Sequence, residues 1–150
     1  MKNKILILSL IVFAGISLTA TAGGINWQTD FTAATNAAAA RNLPIFAYFS
    51  GSDWSKKCMR FNNIVLKKPE FQKIARSNFI MLQIDSPRKI PLSPEIQQKN
   101  DAIRKMYGIN GYPTVLLLNY QGKVIAAQSP PNCDKGVMAY IETLKKAFRR

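Results

Sequence analysis

Cys58 is the residue of this chain best equipped for covalent chemistry. It closes the stretch Ser50-Gly51-Ser52-Asp53-Trp54-Ser55-Lys56-Lys57-Cys58. A turn that feeds a helix start presents unpaired N–H groups and the positive end of the helix dipole. Such a setting, with lysines alongside, stabilises a thiolate. Ser55 lies three residues earlier. Its hydroxyl is not ionised at neutral pH, and a chain with no histidine has no imidazole to activate it. The other sulfur is Cys133, and an even cysteine count invites one bridge. Two cysteines without histidine do not make a zinc site, so no metal and no cofactor is expected.

The elements that must position these groups are legible as patterns. Asp30 to Arg41 reads as a helix, with Phe31, Ala34 and Ala38 on one face and alanines from 37 to 40. Asn42-Leu43-Pro44 ends it. Ile45 to Phe49 is apolar throughout, as a central strand covered on both faces would be. Trp54 to Leu66 has helical spacing, with Cys58, Phe61 and Val65 on one face. Pro69 opens a short helix to Arg76, and Phe79 to Ile84 is a second apolar strand. Ser93-Pro94-Glu95 starts a helix that Gly108 stops after Tyr107. The run from Ile109 to Leu118 and its return over Val124 to Gln128 flank a Gln121-Gly122 turn, forming a hairpin. Asp134 to Phe148 is the closing helix.

The chain has 150 residues, room for one domain and a short appendage. Residues 1–22 read as that appendage, a signal peptide: Lys2 and Lys4, an apolar stretch from Ile5 to Leu18, then Ala20-Thr21-Ala22. The apolar stretch is shorter than the roughly 20 residues of a membrane span, so no span is expected after cleavage. The product is exported, periplasmic or secreted, and its domain covers residues 23–150. Setting aside Lys2 and Lys4 leaves 19 basic residues against 8 acidic ones, a net charge of +11. Such a charge draws anions. Export argues against nucleic acid as the partner, and the basic residues are scattered enough to read as a solvated surface.

Gly51-Ser52-Asp53-Trp54-Ser55-Lys56-Lys57-Cys58 resembles the Gly-Ser-Asp-Trp-Cys-x-x-Cys frame of an exported branch of the thioredoxin-like family, with Ser55 where the first cysteine stands. Gly111-Tyr112-Pro113-Thr114 resembles the Gly-x-Pro-Thr element of the same family, whose proline is cis. Trp27 to Asp30, Asn42 to Pro44, Lys68 to Phe71 and Asp85 to Arg88 also look like that branch. The resemblance implies an α/β fold, the thioredoxin fold: a central mixed β-sheet flanked by helices on both faces. It also implies thiol–disulfide exchange as the ancestral chemistry. Trp54, Tyr112 and Pro113 would line a groove that holds an extended polypeptide client by strand-like pairing, beside Ser55 and Cys58.

Two departures from the family pattern bear on activity. The family's first cysteine attacks the client disulfide and its second resolves the mixed disulfide; Ser55 cannot attack. Many thioredoxins also carry a buried aspartate on the preceding strand, and here that position falls at Tyr48 or Phe49. Three readings of Cys58 stay open: a residual monothiol, a bridge to Cys133, or an inert pair of thiols. The partner expected is a polypeptide client or a redox partner protein.

Overall fold

The computed structural model describes residues 24–148. The signal peptide read over residues 1–22 lies outside the described residues. The elements run β1 (Trp27–Gln28), α1 (Phe31–Arg41), β2 (Ile45–Ser50), α2 (Lys56–Phe61), a π-helical segment (Asn62–Leu66), α3 (Pro69–Asn78), β3 (Ile80–Asp85), α4 (Pro94–Met106), β4 (Thr114–Leu118), β5 (Val124–Gln128) and α5 (Gly136–Phe148).

The five strands form one sheet in the order β1-β3-β2-β4-β5. β2 lies parallel to β3, with Ile45 opposite Ile80 and Ser50 opposite Asp85. It lies antiparallel to β4, with Tyr48 opposite Val115. The sheet is therefore mixed, and every residue of β2 is buried. Successive side chains of a strand point to opposite faces, and the core divides accordingly. Phe46 and Tyr48 join Phe61, Val65, Phe71, Tyr140 and Leu144 beneath α2, α3 and α5. Ile45, Ala47 and Phe49 join Ala34, Ala38, Leu82 and Leu116 on the other face, beneath α1 and α4. This is the thioredoxin fold that the resemblance implies.

Caps account for most helix boundaries. Asp30 accepts from the Ala33 amide at 2.8 Å and starts α1. Asn42 closes it in the left-handed region at φ 50. Ser93 accepts from the Ile96 amide, with Pro94 as the first helical residue.

Several boundaries differ from the pattern reading: α3 runs on to Asn78, the first hairpin strand begins only at Thr114 and α5 begins at Gly136. Trp27–Gln28, which the pattern does not mark as an element, is a strand pairing parallel with Met81 and Leu82. Its Trp27 ring leans on Phe46 and Tyr48 at centroid distances of 6.4 and 6.0 Å; two residues are too few to show a period. The helix read from Trp54 begins at Lys56, because Ser55 is its cap. That helix also widens into a π turn after Phe61, with the Lys67 amide bonding back to Asn62. The wider turn seats both Val65 and Leu66 in the core.

Candidate functional site

The loop between β2 and α2 is held from both sides. Asp85, at the end of β3, accepts from the Ser50 hydroxyl at 2.7 Å and from the Ser52 amide at 3.0 Å. The Ser52 hydroxyl donates to its other oxygen. Inside the turn, the Ser55 amide donates to the Gly51 carbonyl at 2.9 Å. Gly51 is needed here for space. A Cβ on it would lie 2.5 Å from the Trp54 indole.

Ser55 and Cys58 are brought together, and both face inward. The Ser55 hydroxyl accepts a hydrogen bond from the Cys58 amide at 3.3 Å. This caps α2 and satisfies an amide that has no partner within the helix. Ser55 is 7% exposed and Cys58 1%. The Cys58 thiol lies 3.5 Å from the Gly51 amide, which donates to it. It opens onto a small cavity of about 80 Å³ lined by Trp27, Tyr48, Met59, Asn62 and Gln83, among others. Of the two residues considered for the family's aspartate position, Tyr48 shares this cavity, whereas Phe49 points into the opposite core. Burial, and then the neighbouring Cys58, push the Tyr48 phenol far above its ordinary range, so it stays protonated.

Trp54 and Tyr112 also meet. Their rings stand edge to face, 5.8 Å apart at 89°. Ser86 joins them. The Trp54 indole N–H donates to the Ser86 carbonyl at 2.8 Å, and the Tyr112 hydroxyl donates to the Ser86 hydroxyl at 2.9 Å. Pro113 follows Tyr112 through a cis peptide bond. It lines a groove of about 380 Å³ with Lys57, Arg60, Pro131, Cys133 and Asp134, among others.

Pro113 and Cys58 therefore open onto different spaces, although Lys57 and Cys58 are adjacent on α2. Cys133 shares the groove with Pro113. It is 7% exposed, and Arg60 Nη1 lies 4.0 Å from its sulfur. Both cysteines are free thiols, so the bridge weighed between Cys58 and Cys133 is not formed in this structure. One sulfur is turned beneath the Gly51 amide and the other packs beside Arg60.

Residue spacing did not reveal what surrounds Trp54. Arg88 stacks on its ring, with the guanidinium carbon 3.6 Å from the centroid. Asp53 fixes that arrangement by accepting from the amides of Arg88, Lys89 and Ile90 at 2.9, 2.7 and 3.1 Å. These amides, that of Arg88 foremost, hold the Asp53 carboxyl below the usual carboxylate range. Asp53 thereby holds the Arg88–Ile90 loop. The signal in the sequence was the Asp85-Ser86-Pro87-Arg88 run, whose Ser86 and Arg88 both reach Trp54.

A β-α-β unit, a hairpin and a last helix, with a Trp-Ser-x-x-Cys turn facing a Tyr-Pro turn through Ser86, define a thioredoxin-type protein. The thioredoxin-like family profile matches residues 26–119, and the chain belongs to that family. It is 32% identical over 101 residues to the thioredoxin-related protein DsbJ of Chlamydia pneumoniae, covering 67% of this chain but only 29% of that protein. It is 27% identical over 129 residues to the disulfide bond reductase DsbH of Chlamydia pneumoniae, covering 85% of this chain and 75% of that protein. Among solved structures, a DsbH oxidoreductase superposes with a TM-score of 0.77 at 24% identity, over 99% of this chain and 95% of that one. A thioredoxin from Thermus thermophilus superposes at 0.62 with 15% identity, over 83% and 87% of the two chains. No helix among the described residues is long and apolar enough to cross a membrane.

Proposed function

We propose that this chain is an exported thioredoxin-like protein that holds extended polypeptide in the groove beside Tyr112 and Pro113, with a Ser-Lys-Lys-Cys site that does not cycle electrons through a dithiol. The Ser55–Cys58 pair carries this reading. Thiol–disulfide exchange needs a thiolate free to approach a client sulfur, and a second thiol to resolve the mixed disulfide. Ser55 supplies no sulfur, and its oxygen is turned inward onto the Cys58 amide. Cys58 is 1% exposed and lies beneath Gly51, which also weighs against monothiol exchange.

The peptide-holding half of the reading draws on the groove. Pro113 lines it, and beside Pro113 the half-buried Trp54 and Tyr112 are braced through Ser86, so this flanking aromatic pair is preorganised and loses little side-chain freedom on binding. The relatives named for disulfide chemistry supply the family context, and residues 1–22 supply the argument for export.

The test is insulin reduction with dithiothreitol as terminal reductant. The mature chain should add nothing to the reductant alone. Ser55→Cys should gain activity, because the turn before α2 is also held by the Ser55 amide on the Gly51 carbonyl and by Asp85 on Ser50 and Ser52. Peptide binding, followed separately, should survive Cys58→Ala. Turnover by the unmodified chain at rates typical of two-cysteine relatives would overturn the proposal.

A further inference from the structure

Two cations, Lys57 and Arg60, line the groove beside Pro113. On α4 and α5, basic side chains have carboxylates one turn away: Lys99 with Glu95, Arg104 with Asp101 and Lys145 with Glu142. The carboxylates of the neighbouring Trp54 turn have other work, and the groove's own carboxylate is Asp134. Asp53 is occupied by three backbone amides and Asp85 by the Ser50–Ser52 turn. Asp134 is paired with Arg60 at 2.6 Å, and both side chains are more than half exposed. Lys57 lines the same groove with no carboxylate in ion-pair contact among the described residues. An open groove of about 380 Å³ thus presents one uncompensated cation and one held only by a solvent-exposed pair.

We infer that the groove selects acidic polypeptide. An extended segment lying along Tyr112 and Pro113 seats a Glu or Asp side chain between Lys57 and Arg60. The incoming carboxylate neutralises Lys57 and competes with Asp134 for Arg60, an exchange between two solvent-accessible ion pairs. The apolar floor of Phe61, Pro113 and Pro131 takes the aliphatic part of the same side chain. Lys56, Arg88 and Lys89, all exposed around the Trp54 turn, add the same sign of field to the approach. This inference rests on the groove being the polypeptide site, and it names the class of polypeptide.

The experiment compares short, unstructured Gly-Ser peptides of equal length that differ only in a central Glu, Gln or Lys pair, by fluorescence anisotropy on the mature chain. At low ionic strength the Glu peptide should bind roughly tenfold tighter than the Gln peptide, and the Lys peptide weakest. The advantage should shrink as salt screens it. Lys57→Gln with Arg60→Gln should bring the Glu peptide to the level of the Gln peptide. Lys145→Gln with Lys146→Gln, at the far end of α5, should leave the advantage intact. Equal binding of the Glu and Gln peptides would remove the selectivity and leave the groove reading standing. No binding of any peptide would remove both. An advantage abolished equally by the α5 pair would assign the effect to overall charge and overturn the inference.

Discussion

The Ser55 hydroxyl and the Cys58 amide are joined by a 3.3 Å hydrogen bond, and that bond is what starts α2. Serine is among the best residues for this task. The side chain at the expected nucleophile position is thus part of the backbone scaffold, and it holds the cysteine three residues on.

Ser55→Ala should remove the cap and destabilise the protein by about 1 kcal/mol, within the range of roughly 0.5–2 measured for such losses. Ser55→Asn should recover part of it. Urea unfolding midpoints at fixed slope would measure both. An alanine variant as stable as the parent would show that the hydroxyl does not cap α2.

Gly51→Ala should displace Trp54. The added Cβ would meet the indole at 2.5 Å. The ring must then leave Ser86 and Tyr112, at a cost of about 1–3 kcal/mol typical of overpacking. Near-ultraviolet circular dichroism should lose the Trp54 contribution. An unchanged aromatic spectrum would contradict the close approach.

Acid should release the Arg88–Ile90 loop. Asp53 has a folded pKa depressed below 3.8 by the amides it accepts from. Its contribution is therefore present above the unfolded value and lost as pH falls from about 3.8 through the folded pKa. Arg88 then leaves the Trp54 ring, and tryptophan emission changes in that window. Asp53→Asn should abolish the change. The same titration in both proteins would contradict the assignment.

Both thiols should be free and slow. Cys58 and Cys133 are 1% and 7% exposed and unbridged. Intact mass after alkylation in denaturant should show two modified cysteines without prior reduction. In the folded protein, Ellman's reagent should react far more slowly than with a simple thiol. A mass showing a disulfide would contradict the free-thiol state. A fast phase from Cys58 would reopen monothiol exchange.

The alkaline side carries a matching expectation. Tyr48 and Tyr140 are buried, and burial raises both phenols above 10.0. Stability should be complete below the unfolded pKa of about 10 and fall as pH rises past it, because the unfolded phenols ionise first. Ultraviolet titration should then show these two tyrosines ionising only with unfolding. Ionisation of all tyrosines together near pH 10 in folded protein would refute it.

Much of this was legible in the residue pattern, because it rests on interactions between near neighbours. The apolar run Ile45–Phe49, the Ser93 cap, and Gly108 at φ 61 each act within a few residues of themselves. Two short motifs in the right order carried the family. The two-residue strand β1 and the π turn were hidden. One is too short to show a period, and the other is set by the need to bury Val65 and Leu66 together.

The sequence by itself determined that a serine, Ser55, stands three residues before Cys58, that the chain carries excess positive charge, and that the strand and helix order is that of the thioredoxin fold. Only the tertiary structure decided which way the remaining groups face. The pleat of β2 sends Tyr48 to Cys58 and Phe49 away from it. Parallel pairing with β3 brings Asp85 to Ser50 and sets Ser86 and Arg88 against Trp54. Pro113 and Cys133 meet Lys57 and Arg60 across a groove built from segments more than fifty residues apart. Contacts over such distances follow from how sheet and helices pack, and no local pattern encodes them.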